Sequence, residues 1–191
     1  MRNLIMWNLL TLDGCFEGPR AWDLGFHEYA WGPELERFSL EQGREVGALL
    51  FGRATYDGMA AHWTTAKGEP GGVADFMNTV PKYVFSRTLE SADWNNTTLV
   101  KGDAADTVSR LKELPGKDLF VFGSADLSSA LIRHGLFDEF RIGLVPVTLG
   151  DGKPLFKRDS EPVRLEPLQS RPLGDRCLLL RYRPAADAVA G

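Results

Sequence analysis

The chain has 191 residues, 43% of them hydrophobic, and a formal charge of −4 at pH 7. That length suits one domain with a core of its own, and the acidic balance argues against a nucleic-acid partner, which calls for a basic face. No apolar run approaches the roughly 18–20 residues of a membrane span, so no membrane partner is expected.

Residues 4–12 read as a buried strand closed by Asp13-Gly14. The strand meets that turn with no small-residue cleavage site, so the N-terminus reads as structure rather than a signal peptide. A long irregular stretch follows to Gly32, rich in Gly, Pro and aromatics. Pro33 opens a short helix that Gly43 ends. Residues 46–51 form the second strand, and Gly52-Arg53 turns into a helix through Met59. Residues 68–72 read as a loop, 82–86 as the third strand and 97–100 as the fourth. Asp103 caps a helix whose Ala104, Val108 and Leu111 share one face before Pro115-Gly116 breaks it.

The fifth strand, Leu119-Phe-Val-Phe122, stops at Gly123. Ser124 follows as a helix N-cap, with Leu127, Ala130 and Leu131 at helical spacing and Gly135 as the stop. Strand-like stretches at residues 139–145, 163–169 and 177–182 complete the chain, with no helix between the last two. The expectation is a single α/β domain over residues 1–184, mainly parallel with an antiparallel hairpin at one edge, and a disordered Ala-rich tail at 185–191. Cys15 and Cys177 stand far apart in neither a metal nor a redox spacing, which suggests free thiols, a reducing cytoplasm and no metal.

Ligands of such sheets sit beyond the carboxyl ends of the strands. Here those ends are Leu12-Asp13-Gly14, Gly52-Arg53-Ala54-Thr55, Ser86-Arg87-Thr88 and Gly123-Ser124-Ala125. Three of them suit phosphate: arginine forks beside hydroxyls, and small residues opening a helix whose first amides favour an anion. A dinucleotide with an extra phosphate on its adenosine ribose would use all three. Each arginine alone reads as readily as a solvated or ion-paired side chain. Neither G-x-G-x-x-G after the first strand nor G-x-x-x-x-G-K-[ST] occurs, which removes the ordinary Rossmann and P-loop readings.

The motifs Thr11-Leu-Asp-Gly14, Leu49-Leu-Phe-Gly-Arg-Ala-Thr-Tyr-Asp-Gly58, Lys82-Tyr-Val-Phe-Ser-Arg-Thr-Leu89 and Leu119-Phe-Val-Phe-Gly-Ser-Ala125, with Leu136-Phe-Asp-Glu-Phe running on to Pro146-Val-Thr-Leu-Gly-Asp-Gly-Lys-Pro-Leu-Phe156, resemble the dihydrofolate reductase superfamily. They are closest to its branch shared with the reductase domain of riboflavin biosynthesis. The resemblance implies a dihydrofolate reductase-like three-layer fold, with an eight-stranded, mostly parallel sheet between helices. It also implies NADPH as cofactor and a homodimer, for which the stretch 143–156 offers an edge. By position, Gly52, Arg53, Ala54 and Thr55 match the loop that meets the phosphates, and Ser86 and Arg87 match residues at the ribose phosphate. Gly123, Ser124, Ala125, Asp126 and Leu127 match the pyrophosphate turn, where the resemblance suggests a cis bond between Gly123 and Ser124. The chain carries neither the H-x-E nor the C-x-x-C of a zinc deaminase.

A hydride transfer needs a dry pocket and a proton source. The aromatic loop with Phe16, Trp22, Phe26, Tyr29 and Trp31 reads equally as a lid over a flat heterocycle and as core packing. Trp7 and Trp22 are the candidate substrate contacts. Asp13 is the first candidate acid, though an Asp-Gly turn also bonds its own backbone. Glu36 is the second, and Lys153 could meet an anionic substrate. A folate reductase would require a carboxylate of Glu28, Glu34 or Glu36 in the pocket. The leading expectation is an NADPH-dependent reductase of a small heterocyclic or sugar-like C=N or C=O compound, with the riboflavin-pathway phosphoribosylaminopyrimidine as its best named substrate. The alternatives are a non-catalytic, dimeric nucleotide-binding module on the same fold, or a divergent dihydrofolate reductase.

Overall fold

A computed structural model describes residues 1–68, 71–157 and 161–186. Its strands are β1 (Leu4–Thr11), β2 (Cys15–Glu17), β3 (Val46–Gly52), β4 (Lys82–Phe85), β5 (Thr97–Val100), β6 (Asp118–Phe122), β7 (Glu139–Val145), β8 (Lys153–Pro154), β9 (Leu165–Leu173) and β10 (Cys177–Pro184). The helices are α1 (His27–Ala30), α2 (Pro33–Gly43), α3 (Arg53–Trp63), α4 (Val73–Thr79), α5 (Ala104–Glu113) and α6 (Ala125–Arg133).

Eight strands form one sheet in the order β5-β4-β3-β6-β1-β7-β10-β9, and β2 pairs with β8 in a small separate ribbon. Strands β5 through β7 of that order are mutually parallel; β10 runs antiparallel to β7, and β9 antiparallel to β10. This is the dihydrofolate reductase-like architecture, with all the parallel strands ending on one side.

Because side chains alternate across a strand, each central strand serves two cores. Ile5, Trp7, Leu49, Phe51 and Phe120 pack on one face against Leu35 and Phe38 of α2 and Met77 of α4. Leu4, Met6, Leu50, Leu119 and Val121 pack on the other against Val108 and Leu111 of α5 and Leu127 and Leu131 of α6. Each such fully buried side chain contributes about 1.5–3 kcal/mol.

Several local expectations are corrected. The irregular stretch before Gly32 contains β2 and α1, and the region after the 68–72 loop contains α4; both helices are too short for a helical period to show. The hairpin strand starts at Leu165 and runs to Leu173 with Pro167 and Pro172 inside it, which an edge strand tolerates. The Gly123–Ser124 bond is not cis. Instead both residues are left-handed, with φ of 57° and 60°, and this reverses the chain between β6 and α6. Residues 143–145 are no sheet edge, since β7 lies between β1 and β10. At the C-terminus Ala185 is buried and its N–H donates to the Arg164 carbonyl at 2.9 Å; residues 187–191, the rest of the expected tail, lie outside the described residues.

Candidate functional site

Two helices begin where two neighbouring strands end. α3 starts directly after β3, and α6 starts two residues after β6. The two turns are tied together by side chains. The Ser124 hydroxyl accepts from the Gly52 N–H at 3.0 Å and donates to the Phe122 carbonyl at 3.1 Å. The Ser124 N–H donates to Thr55 Oγ1 at 2.9 Å, and the Gly123 N–H to Asn8 Oδ1 at 2.9 Å. Ser124 therefore does not cap α6 with its side chain, as its sequence position suggests; it joins the two turns. The amides of Gly123 and Ser124 are consumed by this stitching. Those left facing outward are the first-turn amides of α3 and of α6, at Ala125, Asp126 and Leu127, which no helix can satisfy internally. Gly123 also has to be small, since a Cβ there would stand 3.0 Å from the Thr55 methyl.

These turns open into a cavity of about 1290 Å³. All the residues expected at the cofactor line it except Ser86, whose hydroxyl instead accepts from the amides of Thr88 at 3.3 Å and Leu89 at 3.0 Å. Arg53 reaches across to the loop after β4, donating to Thr88 Oγ1 at 2.7 Å, and lies 3.5 Å from Asp57. Lys153 meets Glu17 at 2.9 Å, and Lys157 meets Asp126 at 2.6 Å. Among the charged side chains of the wall, Arg87 is exposed and has no ion-pair partner within 4.0 Å among the described residues. Asn8 was not singled out by sequence, although it lies in the middle of the first strand. It lines the cavity, and its buried Nδ2 has no hydrogen-bond partner among the described residues. A polar side chain inside an apolar strand was the available signal.

The other half of the cavity has a different chemistry. Trp7 of β1 lies there, packed against Phe38 with ring centroids 5.2 Å apart, and Leu24, Trp31, Leu35, Met59, Trp63, Phe76 and Met77 line the cavity with it. His27 faces the same space, and burial pushes its imidazole down to about 4, so it is neutral at pH 7. Trp22 closes the mouth. Its ring rests on α3 where Gly58 stands, and a Cβ at Gly58 would come 2.2 Å from the indole. Trp22 adopts φ 61°, a left-handed conformation that costs an ordinary residue about 1–2 kcal/mol, and its N–H is held by the Glu17 carboxylate.

The two candidate acids are elsewhere. Asp13 lies outside the cavity; it accepts from Thr11 Oγ1 at 2.5 Å and from the amides of Leu149 and Gly150 at 3.1 and 2.8 Å. The Thr11 hydroxyl, and after it the Gly150 amide, hold its carboxyl below the ordinary carboxylate range, which makes it a clamp on the 147–150 turn and a poor proton donor. Glu36 is exposed on α2 and does not line the cavity, and neither do Glu28 and Glu34. None of the three carboxylates expected of a folate reductase therefore reaches the cavity, whose acidic lining residues are Glu17, Asp57 and Asp126.

Comparison with known proteins agrees with this architecture. The chain matches the RibD C-terminal domain family over residues 2–179. It is 29% identical over 192 residues to the uncharacterized protein YyaP of Bacillus subtilis, covering 95% of this chain and 94% of that one. A putative riboflavin biosynthesis protein from Shewanella superposes with a TM-score of 0.75 at 21% identity, covering 96% and 99% of the two chains. A diaminohydroxyphosphoribosylaminopyrimidine deaminase/5-amino-6-(5-phosphoribosylamino)uracil reductase from Thermotoga maritima gives 0.66 at 18%, covering 96% of this chain and 57% of that one. Dihydrofolate reductase from Enterococcus faecalis, complexed with NADP(H) and RAB-propyl, gives 0.57 at 15%, covering 95% and 96%. At these identities the structural likenesses speak for the fold.

Proposed function

The chain belongs to the RibD C-terminal domain family, and from that premise we propose that it is an NADPH-dependent reductase of a small molecule carrying a C=N or C=O group. One observation carries the reading: two helix N-termini and Arg87, which has no ion pair within 4.0 Å among the described residues, line a cavity to which α1, α2 and α4 bring only aromatic, aliphatic, thioether and uncharged polar groups. Single-ligand clefts usually measure about 300–1,000 Å³. The volume here leaves room for a dinucleotide and a second molecule.

The donor set fits the cofactor. The first-turn amides of α3 and α6 would hold the diphosphate, Gly123 lets it approach the backbone, and Arg87 with Arg53 would meet the ribose monoester. When bound, NADPH supplies a hydride. The chain's own residues then have three tasks. Trp7 and Trp22 exclude water from the reacting face. Asn8 Nδ2, buried and unsatisfied, gains an acceptor when the cavity is filled. His27 stays neutral, so its N–H can hydrogen-bond the accepting oxygen or nitrogen without bringing a charge into the pocket. The family's riboflavin-pathway intermediate is the first substrate to consider, and the wall chemistry discriminates against it below. For assembly, the homodimer reading moves to β9, the outer strand of the sheet, which exposes Leu165 and Leu168.

Calorimetric titration with NADPH and NADH tests the reading. NADPH is expected to bind at micromolar concentration and at least about tenfold more tightly than NADH, a difference of about 1.4 kcal/mol. Arg87→Ala should abolish that preference and leave NADH binding as it was. An absence of NADPH binding at millimolar concentration contradicts the proposal.

A further inference from the structure

We propose that the substrate half of the cavity takes an uncharged, flat, largely apolar ring compound bearing one hydrogen-bonding carbonyl or imine, and that it rejects phosphate esters. The inference rests on the reading above, in which the cofactor occupies the wall made by α3 and α6.

Every charged side chain of the cavity belongs to that wall or to the mouth. Arg53 and Asp57 pair on α3, Glu17 and Lys153 pair where β2 meets β8, and Lys157 pairs with Asp126 at the start of α6. Arg87 follows β4. Among the described residues, α1, α2 and α4 bring no Lys, Arg, Asp or Glu to the cavity lining. The indole, phenyl and thioether groups beside them are Trp7 of β1, Phe76 and Met77 of α4, and Met59 and Trp63 from the second half of α3, beyond the first turn that faces the diphosphate. Such groups stack on flat rings, and methionine adapts its shape to them.

The polar groups in this half are neutral, and most are already engaged. The Ser39 hydroxyl donates to the Leu35 carbonyl at 2.8 Å. The Trp63 Nε1 donates to Met59 Sδ at 3.3 Å. Gln42 Oε1 accepts from Arg141 at 3.3 Å, and that guanidinium is neutralised by Glu45 and Glu139 at 2.7 Å each. His27 is different: its ring touches Phe26 at 4.6 Å between centroids but makes no side-chain hydrogen bond among the described residues. The imidazole, the indole N–H groups of Trp7 and Trp31 and the Gln42 amide are neutral donors or acceptors in an aromatic box, and they select an uncharged ligand with a matching carbonyl or imine. A phosphate placed there would lose its hydration and meet no cation, which is the costliest way to bury a charge.

The test uses the whole protein with N-phenyl-1-naphthylamine, a neutral fluorescent probe made of a naphthalene and a phenyl joined by one N–H. Saturable enhancement of its emission is expected, undiminished when NADP⁺ saturates the other half, and not displaced by uridine 5′-monophosphate, a phosphorylated pyrimidine. Ser39→Arg, which places a cation in this half, should weaken the probe at least about tenfold while the calorimetric affinity for NADP⁺ changes less than about twofold. The wild-type competition decides the matter if that variant does not fold. Absent enhancement, displacement of the probe by uridine 5′-monophosphate, or an unchanged affinity in a folded Ser39→Arg overturns the inference. Displacement by NADP⁺ also overturns it, because the probe then sits on the cofactor wall. A protein that binds the probe but not NADP⁺ leaves this inference standing and removes the reductase reading, so the two failures are separable.

Discussion

Asn8 shows how much one side chain can signal. Its Oδ1 holds the Gly123 amide, while its Nδ2 is buried without a partner at the cavity wall. Asn8→Ala removes both groups. The expected result is a fall in stability of about 1–3 kcal/mol, because the Gly123 amide loses its acceptor, and a loss of about 1–1.5 kcal/mol in NADPH binding, the worth of one hydrogen bond. Unchanged affinity would show that Nδ2 meets no ligand atom. His27 gives a pH signature. Its folded-state value lies near 4, below the ordinary 6.5, so the unfolded chain takes up the proton first as pH falls. Stability from this group is complete above pH 6.5 and is lost between 6.5 and about 4, by at most about 3 kcal/mol. Urea unfolding of His27→Gln should show a shallower loss than wild type across that window; parallel curves would place His27 in water.

At the scale of elements, the lid and its seat act together. Gly58 lies in the middle of α3, where glycine costs about 1 kcal/mol relative to alanine, yet its missing Cβ is what allows the Trp22 ring to rest on the helix. Gly58→Ala should therefore leave Tm nearly unchanged and free the loop. Trypsin cleavage after Arg20 is the measurement: it should accelerate several-fold in the variant and be unaffected if Trp22 does not depend on this seat. The elements themselves were legible to different degrees. β1, β3 and β6 were readable because buried parallel strands are nearly continuous apolar runs, and α5 because Asp103 accepts from the Asp106 amide at 3.0 Å. α1 and α4, with four and seven residues, are held by tertiary packing of Ala30 and Met77 and leave no period to read. Ser124 misled for a physical reason: serine before a helix normally caps it, and here the hydroxyl is spent on Gly52 across 72 residues of sequence.

At the scale of the whole molecule, the parallel strands bring segments separated by about half the chain to one rim. The motif order indicated that convergence, since Gly52, Arg87 and Gly123 each follow a strand. The order of motifs did not show which polar groups are already used. Asp13 looked catalytic and is a clamp on the Leu149 and Gly150 amides, while Asn8 looked structural and faces the cavity. The apolar character of the second half was equally hidden, because Trp7, Trp63 and Phe76 come from three separate elements whose individual patterns read as ordinary core.

The most direct measurement is a crystal structure of the protein grown with NADPH. The expected result is diphosphate density between the first turns of α3 and α6, the ribose monoester against Arg87, and the nicotinamide beside Trp7 at the boundary of the uncharged half. Diphosphate density anywhere else on the molecule, or a cavity that stays empty in crystals grown at saturating NADPH, would contradict it.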